Sequence, residues 1–80
     1  MELEVITPEK RLFEGDAQMI KVPGTKGSFE ILHNHAPLIS TLSKGTIKIV
    51  ADGAEDIYID IKGGVIEVQQ NKVIVLAEIH

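Results

Sequence analysis

Cysteine is absent from the chain, and aromatic residues make up only 4% of it. The first absence excludes a disulfide framework and a thiolate metal site as supplements to the core. The second means that whatever is buried must be aliphatic. Nor is there a surplus of positive charge, since 8 Lys and Arg stand against 12 Asp and Glu, for a formal net charge of −4. Binding to a phosphate backbone needs clustered cations, so nucleic acid is excluded as a partner. No run approaches the roughly 18 apolar residues of a spanning helix. Met1-Glu2-Leu3-Glu4 has neither the basic start nor the apolar core of a signal peptide, which predicts that the chain stays in the compartment where it is made.

What is present is short and β-branched. Residues 1–80 make one domain, which hides only about 60% of its unfolded surface on folding. Isoleucine and valine favour strands, and turn signals fall at short, regular intervals with a period of two between them. The pattern predicts strands over Leu3–Thr7, Lys10–Phe13, Gln18–Val22, Ser28–Leu32, Leu38–Leu42, Thr46–Ala51, Asp56–Ile61, Val65–Gln69 and Val73–Ala77. Asp52-Gly53 reads as a primed hairpin turn between Ile47/Ile49 and Ile57/Ile59/Ile61. With no segment of helical period long enough to cover a sheet, the solution is all-β: two antiparallel sheets packed face to face. Val73 to Ala77, and Val65-Ile66 with Val68, are apolar on both faces, which hints at a covered outer surface. Gly63-Gly64 beside β-branched runs marks a bend, a bulge or a close backbone approach.

Catalytic and metal chemistry find little support. His33 and His35 are spaced to share a strand face, but only His80 could add a third nitrogen, and no carboxylate stands at ligand spacing. Neither a metal nor a cofactor is expected. Ser40, His35 and Asp60 form a nucleophile, base and orienter only on paper, without a nucleophile elbow or an oxyanion loop. Gly24-x-x-Gly27 lacks the Gly-Lys-Ser/Thr ending of a phosphate loop. The two exposed loops, Pro23 to Gly27 and His33 to Pro37, read instead as a docking surface.

A specific resemblance follows from several short motifs in register: Thr7-Pro8-Glu9, Phe13-x-Gly15, Val22-Pro23-Gly24-x-x-Gly27, His35-Ala36-Pro37-Leu38, Gly45, Gly63-Gly64-Val65-x-Glu67-Val68 and Asn71-x-Val73-x-Val75-Leu76-Ala77. Together they resemble the amino-terminal domain of the F-type ATP synthase epsilon subunit over essentially the whole chain. The resemblance implies a β-sandwich of about ten short strands. It also implies a non-catalytic rotor role at the foot of the central stalk, joining the gamma subunit to the c-subunit ring and coupling ion flow to ATP synthesis. The location implied is the cytoplasmic face of the bacterial inner membrane, peripheral and reaching the membrane only through the c ring. By similarity, Pro23, Gly24, Thr25, Lys26, Gly27, Ser28 and Phe29 would meet the c ring, and Thr7, His35 and Ser40 would meet gamma.

This chain departs from the family pattern in three places. Ser28 stands where the family has an acidic residue, and Glu30 where it has a glycine. His33-Asn34 replaces the common Pro-Gly. Family members continue into a two-helix carboxy-terminal domain, whereas this sequence stops at Ile79-His80, which reads as a naturally short form without those helices. The alternative function is a free-standing sandwich that binds a small ligand or sugar, for which Phe13, Phe29 and Tyr58 would have to supply the stacking platforms.

Overall fold

Alternation of aliphatic and polar residues is realised as nine strands: β1 (Glu2–Ile6), β2 (Arg11–Asp16), β3 (Met19–Gly24), β4 (Gly27–Leu32), β5 (Leu38–Leu42), β6 (Gly45–Val50), β7 (Ile57–Ile61), β8 (Gly63–Gln69) and β9 (Lys72–Glu78). The computed structural model describes residues 1–80. One layer runs β2-β1-β9-β8-β5, and the other places β4 and β6 on β3 with β7 beyond β6. The layers are halves of one curled sheet. Their ladders join only where Gly24 of β3 meets Leu42 of β5.

The register explains what is buried. Leu3 and Val5 lie opposite Val73 and Val75, which lie opposite Val68 and Ile66. Across the interior stand Ile20, Val22, Ile31, Ile47, Ile49 and Ile61. Every one of these side chains is aliphatic and almost wholly excluded from water. Burying each contributes about 1.5–3 kcal/mol before chain entropy is charged against it. Leu12, Phe13, Phe29, Leu38, Ile59 and Ile79 close the margins of this core.

Four details differ from the sequence reading. There are nine strands, as the alternation predicts, rather than the roughly ten that the resemblance implies. β1 pairs with β9 in parallel, the single exception to antiparallel pairing. β2 runs on past the expected end at Phe13 through Gly15-Asp16, because its last residue pairs with Glu2. Asp52-Gly53 is not a two-residue turn: residues 51–56 all connect β6 to β7, with Gly53 at φ 71° and Lys48 Nζ 3.7 Å from Asp56 Oδ2. A tight primed turn falls at Gln70-Asn71, where both residues take positive φ, 52° and 59°, between the paired Gln69 and Lys72.

Candidate functional site

The β3–β4 hairpin ends in a two-residue tip, Thr25-Lys26, between the paired Gly24 and Gly27. Gly24 has to be glycine, because a Cβ there would sit 2.7 Å from both Gly27 O and Phe29 Cε1. The Phe29 ring therefore rests on the Gly24 backbone and is half-buried. Pro23 and Gly24 are buried, while Thr25, Lys26, Gly27 and Ser28 are exposed. Of the seven residues predicted to meet a ring, four are thus freely presented and three shape the tip from behind.

Four hydrogen bonds fasten that tip to β5 and its following residue. The Thr25 N–H donates to Thr41 O at 3.1 Å, and the Ser43 N–H donates to Pro23 O at 2.8 Å. Ser43 Oγ also donates to Pro23 O, at 3.2 Å, and the Thr25 and Thr41 hydroxyls are bonded to each other at 2.9 Å. These are bonds between segments 16 to 20 residues apart. The tip is held in one orientation before any partner arrives, which lowers the entropy cost of docking. Beside it runs a groove of about 630 Å³ bounded by the tip, Phe29, Ile39, Ser40 and Thr41. Ile39 is 71% exposed on its rim.

The three residues predicted to face gamma do not form one cluster. Thr7 is buried, and its hydroxyl is used up in the β1–β2 turn: it accepts from the Glu9 and Lys10 N–H groups at 3.2 and 3.0 Å and donates to Lys10 O at 3.1 Å. Ser40 is half-buried in the groove beside the tip and donates to Thr41 O at 3.2 Å. His35 is exposed on the β4–β5 loop, where Nδ1–H donates to Ala36 O at 2.7 Å and its N–H to Leu32 O at 3.2 Å. β5 lies between His35 and the tip, so at about 3.4 Å per residue the two are separated by most of the length of the sheet. Asp60 accepts from Thr46 Oγ1 at 2.8 Å in the opposite layer, so the paper triad of Ser40, His35 and Asp60 is not assembled.

Sequence reasoning did not single out an outward row that crosses four strands. Ile6 stands opposite Leu76, Leu76 opposite Val65, and Val65 opposite Thr41. Val65 is 40% and Leu76 47% exposed, and with Pro8, Gly64 and Ala77 they line a shallow apolar groove. The signal was the double-sided apolar run in β8 and β9.

Comparison with known proteins gives a consistent pattern. The family model described as ATP synthase, delta/epsilon chain, beta-sandwich domain matches residues 1–79. An ATP synthase epsilon chain of Herminiimonas arsenicoxydans is 39% identical over 79 residues, 98% of this chain and 56% of that one. Another, from Pelotomaculum thermopropionicum, is 41% identical over 75 residues, 94% of this chain and 55% of that one. The chain thus spans about half the length of these curated relatives. Among solved structures, a chain of the Tetrahymena thermophila mitochondrial ATP synthase central stalk and c ring superposes with a TM-score of 0.82 at 19% identity, covering 96% of this chain and 62% of that chain. A chain of the Euglena gracilis mitochondrial ATP synthase superposes with a TM-score of 0.87 at 17% identity, covering 94% and 48% respectively. At such identities the superpositions speak to the fold.

Proposed function

The chain belongs to the ATP synthase delta/epsilon chain family through its β-sandwich domain, and from this premise we propose that it is a non-catalytic rotor component that fastens gamma to the c-subunit ring. On this reading the tip Thr25-Lys26-Gly27-Ser28, backed by Pro23, Gly24 and Phe29, meets the polar loops of the ring. His35 and Ser40 meet gamma at two points along β5, and Thr7 contributes by holding the turn that presents Pro8 and Glu9. The protein would work at the cytoplasmic face of a bacterial inner membrane without entering the bilayer, since its contact with the membrane is through the ring. Its part in ion-coupled ATP synthesis is mechanical: torque is delivered across a rigid body.

The stapled tip is the observation that carries this reading. A loop that transmits force gains from being fixed at both ends, and four bonds from β5 and Ser43 do that here. Affinity would come from apolar and backbone contact with polar groups at the rim, because the exposed ion pairs of this protein, such as Arg11–Glu4 at 3.0 Å, are of the kind that contributes little. The deciding experiment is affinity capture from detergent-solubilised membranes with the chain as bait. Recovery of gamma together with c subunits is expected. Capture of neither, under conditions that keep the rest of the synthase assembled, removes the rotor assignment.

A further inference from the structure

Asn71 sits in the β8–β9 turn at φ 59°, a left-handed conformation that asparagine tolerates better than most residues. Its carbonyl accepts from the Glu2 N–H at 3.1 Å, which ties the turn to the start of β1. The side chain then crosses to a segment 37 and 38 residues away. Oδ1 accepts from the Asn34 N–H at 2.8 Å, and Nδ2 lies 3.3 Å from His33 Nδ1. We propose that Asn71 is the positioning residue of the β4–β5 loop and that, through it, the loop responds to the charge of His33. This rests on the reading of that loop, through His35, as a gamma contact.

The first bond decides the chemistry of the second. With Oδ1 committed to an N–H, the end of the amide that faces His33 is the NH2 group, which can only donate. His33 Nδ1 is therefore the acceptor, an unprotonated ring nitrogen with the proton on Nε2. An imidazolium carries N–H at both nitrogens, so on protonation two donors face each other at 3.3 Å and the contact is lost. Asn34 has the same φ, 59°, which asparagine likewise tolerates, and its N–H is the group that this amide anchors.

Other titratable groups stand on the elements that meet at this end, among them Glu67 on β8. The Met1 ammonium, just before β1, is 3.0 Å from Asp16 on β2, and Lys72 Nζ on β9 is 3.8 Å from Glu2 on β1. Glu30 on β4 stands opposite Lys21 on β3, and His35 turns Nδ1–H to its neighbour's carbonyl. His33 is the one group whose proton changes the amide contact directly.

The test combines amide hydrogen exchange by NMR on the full chain with gamma binding measured over the same range, pH 8 to pH 5.5, across which imidazoles ordinarily change charge. In the wild-type protein the protection factor at the Asn34 amide should fall as the pH is lowered, and gamma should dissociate faster. Asn71→Gly keeps the turn and removes the amide; protection at Asn34 should drop roughly fivefold to tenfold at pH 8, and gamma binding should weaken several-fold. His33→Phe should keep the protection and lose its pH dependence. Asn71→Asp keeps an acceptor for Asn34 but sets a carboxylate against the imidazole, so its pH trend should reverse, with protection rising as His33 becomes charged. Flat wild-type protection, or an Asn71→Asp protein with the wild-type trend, overturns the response to charge. An Asn71→Gly protein that binds gamma as tightly as wild type overturns the positioning role. If the wild-type chain does not bind gamma at all, the rotor reading fails, and the exchange data still decide whether the clasp exists.

Discussion

A single methyl group separates Gly64 from a backbone collision, because a Cβ there would run into the carbonyl oxygen of Leu76 across the β8–β9 ladder. Gly64→Ala should therefore cost about 1–3 kcal/mol, seen as a lower urea midpoint with an unchanged slope. A variant as stable as wild type would mean that the two strands can part locally without loss. The glycine pair was legible as a bend, a bulge or a close approach, and the structure makes Gly64 the last of these. Phe29 was legible only in part. Period two places it on the same face as buried Ile31, but the shelf it occupies is made by the missing side chain of Gly24, and no pattern in the sequence joins the two. Consequently Phe29→Ala should destabilise the fold by about 2 kcal/mol, while Lys26→Ala at the exposed tip stays within about 0.5 kcal/mol of wild type. Thermal melts of the two variants separate a docking aromatic from a packing one: equal melting temperatures would mean that the Phe29 ring does not support the fold.

At the level of elements, all nine strands could be read from alternation, because most have one face in the core and the side-chain period of a strand is two. Their ends were less legible, since pairing rather than composition decides where a strand stops. Gly15-Asp16 continues β2 because Glu2 is there to pair with it. Turn chemistry misled at Asp52-Gly53, where the pair sits inside a longer connection, but marked the break at Gln70-Asn71, although there a residue with little left-handed preference takes φ 52°. That conformation is a local cost that the rest of the hairpin offsets. Gln70→Asn should relieve part of it and raise stability by about 0.5 kcal/mol, read as a small upward shift in the thermal midpoint. A downward shift would show that the Gln70 side chain makes a contact more valuable than the backbone relief.

For the molecule as a whole, the aliphatic residues on both faces of β8 and β9 hinted at a covered outer surface, and the structure shows only that Leu76 and Val65 stand exposed in the outward row of Ile6, Leu76, Val65 and Thr41. Replacing both Val65 and Leu76 by Thr should change stability by less than about 1 kcal/mol, whereas Leu3→Ala in the core should cost about 2–5 kcal/mol. Denaturant titration of the two proteins distinguishes them, and comparable losses would mean that the outer row is as essential to folding as the interior. The division into two layers was legible, but the pairing of β1 with β9 was not, because a parallel contact between distant segments leaves no local mark. It has a consequence in time. The partner of Glu2–Ile6 in that layer is Lys72–Glu78, so during synthesis, at about 5–20 residues per second, the first strand waits several seconds for the last before its inner edge is closed. Until then the nascent chain can form the β1–β2 and β3–β4 hairpins but not the first layer, and its Leu3 and Val5 side chains are left open to chaperones and proteases alike.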